Sequence, residues 1–187
     1  MILVIDTSSS TAAIATLNGD RKETLVSARG GDLQSTLRHI ASVEDVTKVA
    51  VATGPGSFTG LRVGVSFALG LAMGLRVPIV PLPTLELQAA RSDEPVTAVA
   101  DAGRGRFYFR LPDGTSGVAE PAAISTRYSL VGRLASREAL TAAGHRFKPE
   151  AELRRFVDAA AILLETAREV PYRNLEIDYM QSFSRKP

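Results

Sequence analysis

From Val46 to Leu82 the chain runs through a short apolar segment, VTKVAVA, a glycine- and hydroxyl-rich turn, GPGSFTG, a long helix-forming stretch, and a second apolar segment, VPIVPL. The spacing predicts a helix from about Thr59 to Leu75 between two strands, the parts of an α/β layer. That helix is apolar on nearly every side, so it must be covered on more than one. Gly60, Gly64, Ala68 and Ala72 recur every fourth residue as a ridge of small side chains, Gly70 and Gly74 add a second small pair, and Val63, Phe67 and Leu71 form a bulky opposite ridge. Four glycines in one helix cost ~3 kcal/mol relative to alanine. Close approach of a neighbouring backbone offsets such a cost. One neighbour is the helix's own sheet; the other is either a helix over Leu33–Ala41 of the same chain or a helix of another subunit, and the pattern accommodates both.

The rest of the first half supplies that sheet. MILVID and TAAIATL are β-prone, Asn18-Gly19 is a hairpin signal, and ETLVSAR continues as a third antiparallel strand. Leu33, Leu37, Ile40 and Ala41 recur at helical spacing, with Asp32 as N-cap. PTLELQAARS reads as a further short helix. Three strands in meander, then helix, strand, helix and strand, is the order of a ribonuclease H-like layer. The second half repeats its start: VIDTSSSTAAIATLNGD lies over VADAGRGRFYFRLPDGT without a gap, placing Asp6 over Asp101 and Asn18-Gly19 over Asp113-Gly114. A duplicated hairpin would retain such matches. The expected organisation is a lobe over residues 1–92 and a smaller one over 93–187, parted at RSDEP. Signals over Ser116–Lys148 are weak, whereas Pro149–Glu169 reads as an amphipathic helix with a Glu150–Arg154 pair and a stop at Pro171.

Composition narrows the chemistry. The absence of cysteine excludes disulfides, thiolate metal sites and thiol nucleophiles. His39 and His145 are isolated, without a second histidine at ligand spacing. The 22 basic and 20 acidic residues split as six against six in the first 75 positions, leaving sixteen against fourteen, which is no footprint for independent nucleic-acid binding. Arg104, Arg106 and Arg110 read as a solvated face, with a contribution to a shared RNA surface as the alternative. The start MILVIDTSSS has no basic region ahead of an apolar one, and the apolar run Leu61–Leu75 reads as too short to span a bilayer, so the expected compartment is the cytoplasm.

A strand–turn–helix junction is a natural anion site, but GPGSFTG fits no common phosphate template. Gly60 is followed by Leu61 and Arg62 rather than by lysine and a hydroxyl residue, and Gly54, Gly56 and Gly60 give GxGxxxG with Pro55 inside. Ser57 and Thr59 read as hydroxyl caps of the helix. The turns Asp6-Thr7-Ser8 and Asp101-Ala102-Gly103 resemble those with which the actin, sugar-kinase and heat-shock ATPase superfamily grips phosphates and hydrated Mg²⁺. The competing reading is that each aspartate caps its own turn.

MILVIDTSSSTAAIATLNGD, VAVATGPGSFTGLRVGVSFALGLAMGLRVPIVPLPTLE and ADAGRGRFYF together resemble the TsaB (YeaZ) family, whose members help to make threonylcarbamoyladenosine in tRNA. The resemblance implies duplicated ribonuclease H-like, actin-like lobes with mixed sheets and flanking helices, the second lobe reduced. It implies no catalysis by this chain, which would act as a dimerisation and scaffold subunit for a TsaD-like catalytic paralogue. The implied partner face comprises Leu33, Leu37, Gly60, Leu61, Val63, Gly64, Phe67, Ala68 and Leu71, with a homodimer through the same helices as an alternative use. A TsaC-like enzyme would supply threonylcarbamoyl-AMP, a TsaE-like ATPase and tRNA would meet the assembly, and ATP with Mg²⁺ would belong to the assembly rather than to this chain. Asp6, Thr7, Ser8 and Asp101 are the candidate nucleotide-contacting residues. The competing functions are an actin-like phosphotransferase or ATPase and, last, a metallopeptidase. Two departures stand out: the segment Asp20–Thr47 is shorter than the family's, and Gly103 and Arg106 stand where the family tends to have a basic and an acidic residue.

Overall fold

β1 (Ile2–Asp6) pairs antiparallel with β2 (Thr11–Asn18) and parallel with β4 (Lys48–Gly54), so it lies at the centre of a sheet. β3 (Arg21–Ala28) and β5 (Ile79–Pro83) complete the order β3-β2-β1-β4-β5. These coordinates are a computed structural model, which describes residues 1–28, 35 and 45–180. The period of two along a strand divides β1 between two faces. Leu3 and Ile5 meet Val65, Ala68 and Ala72 of α1 (Phe58–Leu75), while Val4 meets Phe156, Val157 and Ala160 of α4 (Phe156–Leu164) on the other side. The sheet is thus covered by a helix on each face, as is usual where strands run parallel.

The second sheet repeats the order and sense of the first on a smaller scale. β6 (Thr97–Gly103) pairs antiparallel with β7 (Arg106–Arg110) and parallel with β9 (Leu130–Val131), and β8 (Ser116–Ala119) adds to β7. β6 and β7 begin at the residues that the internal alignment places over the starts of β1 and β2. α2 (Thr84–Ala89) joins the sheets, sending Leu85 into the core of the second and Leu87 into that of the first. α3 (Glu138–Ala142) closes the far face with Leu140.

Three expectations change. The first hairpin loop is Gly19-Asp20 rather than Asn18-Gly19, because Asn18 still pairs with Arg21; only Gly19 has positive φ (59°), as a type II′ turn asks. The last helix is confined to Phe156–Leu164. Residues ahead of it are extended because the Arg154 N–H donates to the Arg91 carbonyl (2.7 Å) and its guanidinium donates to Ala90 O and Asp93; the expected Glu150–Arg154 pair gives way to Glu150–Arg91. Lastly, α1 has 18 residues and is, by length and composition alone, long enough to cross a membrane, contrary to the reading of Leu61–Leu75 as too short. The predicted helix Leu33–Ala41 lies outside the described residues except for Ser35.

Among the described residues, two devices fasten the sheets together at their ends. Beside the Arg91 and Arg154 contacts, the Lys148 ammonium donates to Glu94 (2.6 Å) and holds that carboxyl below its ordinary range, so the link is fully present above that range and is lost as pH falls through the depressed value. The second device is the segment Val170–Met180. Its Val170 N–H donates to Ile79 O (3.0 Å), the Tyr172 hydroxyl lies against Val77 O (2.8 Å) and Ala72 O (3.1 Å), and the Asp178 N–H donates to Thr53 O (2.9 Å). Tyr179 O then accepts from the Tyr108 hydroxyl (3.1 Å), and Met180 packs into the core of the second sheet.

The small-residue ridge of α1 faces inward. A Cβ on Gly60 would fall on the Thr7 carbonyl oxygen and one on Gly64 on the Thr7 hydroxyl, while that hydroxyl donates to Gly60 O (2.7 Å). Gly64→Ala should therefore cost about 1–3 kcal/mol by overpacking. Thr7→Ala in the same chain should recover part of that loss in urea titrations, but should recover none of the cost of Gly60→Ala, whose obstacle is backbone.

Candidate functional site

The turn after β1 is organised by one carboxylate. Asp6 is fully buried, and its Oδ1 accepts from the Ser8 N–H (2.8 Å) and the Ser8 hydroxyl (2.6 Å). Its Oδ2 accepts from the Arg133 guanidinium (3.2 Å), which also donates to Thr11 O (2.8 Å) and Thr11 Oγ1 (2.6 Å). Arg133 reaches across from the second sheet because Gly132, just beyond β9, lies against the Val99 carbonyl where a Cβ could not fit. Both oxygens of Asp6 are therefore engaged within the chain. Its counterpart Asp101 is exposed, with Oδ1 accepting from the Gly103 N–H (2.7 Å) in its own turn. Between them is a cleft of about 300 Å³ walled by Ser8, Ser9, Ser10, Ser57, Asp101 and Arg133.

The turn GPGSFTG is built around the same place. The Ser57 N–H donates to Ser8 O (2.7 Å), and its hydroxyl caps α1 by accepting from the Gly60 N–H (3.3 Å). A Cβ on Gly56 would meet the Ser8 carbonyl. The glycines of this motif thus let the helix start lie directly on the Asp6–Ser8 turn.

Of the residues expected at a partner face, Leu61, Gly64 and Ala68 are buried and Gly60 rests on Thr7; none of these four is presented outward. Phe67 and Leu71 are half-buried at the edge of the first core, and Val63 is 51% exposed. The outward side carries Val63, Ser66, Gly70, Met73 and Gly74, with Met73 53% exposed and open space where Cβ atoms of Gly70 and Gly74 would lie. Leu33 and Leu37 lie outside the described residues. Among the described residues no three His, Asp or Glu side chains gather as a metal site. His145 is buried, its Nε2–H donating to Pro121 O (2.9 Å), which makes it a core residue; His39 is not described.

Sequence reasoning missed Arg133 and Tyr179. β9 has two residues, too few to show a period, so nothing marks Arg133 as crossing to Asp6. Tyr179 stacks near Phe58 (5.4 Å between centroids) and accepts from Arg62 Nε (3.1 Å), a contact made across 117 positions of sequence.

The family described as TsaD, tRNA N6-adenosine threonylcarbamoyltransferase, matches residues 37–152, more than half of the chain. The TsaB biosynthesis protein of Bacillus subtilis is 35% identical over 135 residues, covering 64% of this chain and 58% of that protein. The chain belongs to this family, on its TsaB (YeaZ) side. TsaB of Escherichia coli is 37% identical over 73 residues, 36% of this chain and 32% of that protein. The chain thus spans less than two thirds of these relatives' length. The structure of YeaZ from Pseudomonas aeruginosa superposes with a TM-score of 0.74 at 19% identity, covering 95% of this chain and 98% of that one, a likeness of fold.

Removing one member of a buried ion pair strands the other. Arg133→Met should destabilise the chain by about 3–5 kcal/mol. With Asp6→Asn in the same chain the combined loss should be smaller than the sum of the two; additive losses in a double-mutant cycle by urea denaturation would show that the pair is not coupled.

Proposed function

We propose that the chain is a non-catalytic accessory subunit in the synthesis of N6-threonylcarbamoyladenosine in tRNA, binding and activating a TsaD-related catalytic chain. The observation that carries this reading is the outward side of α1. Gly60 and Gly64 are accounted for by Thr7, but Gly70 and Gly74 face open space, at about 1 kcal/mol each relative to alanine. A groove over Ser66, Gly70 and Gly74, between the ridges of Val63 and Met73, suits the ridge of a second helix at close range. Family membership supports the choice of partner, since the relatives are named for this biosynthesis and the family description for its transferase. A second copy of the chain would use the same groove when the catalytic chain is absent. A TsaE-like ATPase, ATP and Mg²⁺ act on the assembly, tRNA meets it, and the assembly is cytoplasmic.

The reading without catalysis rests on Asp6, whose carboxylate is taken by Ser8 and Arg133 and so is not offered to a metal–phosphate group. We take the matching strand orders as support for two ribonuclease H-like, actin-like lobes, residues 1–92 and a reduced 93–187, descended by duplication.

Val63→Glu with Met73→Glu should weaken capture of the TsaD-related chain at least about tenfold while leaving the melting temperature unchanged, because both side chains are already half in water. Undiminished capture in a calorimetric titration would remove the outward face from the interface. Mg-ATP should give no saturable heat with the chain alone. Saturable binding that Asp6→Ala abolishes would instead favour an ATPase or phosphotransferase.

A further inference from the structure

The hairpin between β6 and β7 holds three successive residues at positive φ: Gly103 (76°), Arg104 (55°) and Gly105 (74°). Gly103 pairs with Arg106, so Arg104 and Gly105 are the two loop residues, the positions that a type I′ turn assigns to Asn, Asp or Gly. Arginine is a poor occupant, since its Cβ crowds the backbone there. Strain of this kind persists where the side chain is put to use. Within the chain the Arg104 guanidinium returns nothing: it and the Arg106 guanidinium are exposed, and among the described residues neither guanidinium has a hydrogen bond or an ion pair.

Both arginines line a cavity of about 520 Å³, faced by Phe58, Tyr108 and Tyr179. Phe58 is 45% exposed although the Arg62 guanidinium packs 3.9 Å above its ring. Tyr179 is held by Arg62 at its hydroxyl and by Tyr108 at its carbonyl. Neither carboxylate near the cavity pairs with these arginines: Asp101 accepts from the Gly103 N–H (2.7 Å) and Asp178 from the Met180 N–H (2.8 Å). Two unpaired guanidiniums opposite aromatic rings are what a nucleotide requires: charge for a phosphate, flat apolar surface for a base. A simple carboxylate would have no use for the rings, and an apolar peptide none for the guanidiniums.

We propose that this cavity binds one nucleotide unit, its phosphate against Arg104 and Arg106 and its base against the aromatic wall. The inference rests on the proposed function in one respect, that RNA is the natural source of such a unit; a free nucleotide has the same chemistry.

The test is fluorescence anisotropy of a labelled single-stranded oligoribonucleotide with the full chain, with unlabelled oligoribonucleotide, AMP and inorganic phosphate as competitors. Binding should weaken with added salt and fall about tenfold or more in Arg104→Glu with Arg106→Glu. It should be unchanged in Arg110→Glu, whose arginine pairs with Glu86 at the far end of β7. Arg104→Gly, which suits the positive φ, should raise the melting temperature while lowering RNA affinity. AMP competing as well as the oligoribonucleotide would support the site with a free nucleotide as its source. Phosphate competing as well as AMP, or a double glutamate variant that binds like the parent, would overturn the proposal. Val63→Glu with Met73→Glu should leave this binding intact, so failure of the docking reading and failure of this one are separately visible.

Discussion

Where α1 crosses the end of β1, Gly60 and Gly64 lie against Thr7 with no side chain between them, and Thr7 returns a hydrogen bond to Gly60 O. That contact sets the depth at which the helix sits on the first sheet. Val65, Ala68 and Ala72 then reach Leu3 and Ile5, and Ser57 is placed both to cap the helix and to bond Ser8 O. The opposite side of the helix is left in solvent, and it carries Val63, Gly70, Met73 and Gly74. Two pairs of glycines on one helix thus do different work, Gly60 and Gly64 for the packing inside and Gly70 and Gly74 for the shape of the outer surface.

The Asp6 turn is tied to this arrangement from its other end. Ser8 and Arg133 hold the carboxylate, and Gly132 allows Arg133 to arrive from the second sheet. The charge of Asp6 is balanced within the chain by the Arg133 guanidinium, which draws the two sheets together at this turn.

Much of this was legible in the residues. Alternation and propensity placed β1, β2, β4 and β5, the offset between Asp6 and Asp101 placed β6 and β7, and the fourfold spacing of small residues marked the ridge on α1. What spacing could not give was direction. α1 is apolar on both sides, so periodicity does not tell which side faces the sheet, and Gly60, Leu61, Gly64 and Ala68 turned out to be inside. Long-range contacts were equally hidden. The shortening of the last helix depends on Arg91 and Asp93 capturing Arg154, and the strap depends on Tyr108 and Thr53, partners remote in sequence.

The segment Val170–Met180 runs from the edge of the first sheet, past the start of α1, into the core of the second. At the opposite end Arg91, Lys148 and Arg154 rivet the connection between the sheets, and Arg133 spans the middle. Among the described residues the two sheets are therefore joined at both ends and at the centre. Whatever meets them encounters a ready-made mould. Joined in this way, the two sheets favour meeting another molecule as one preformed surface, with little of the binding free energy spent on ordering them.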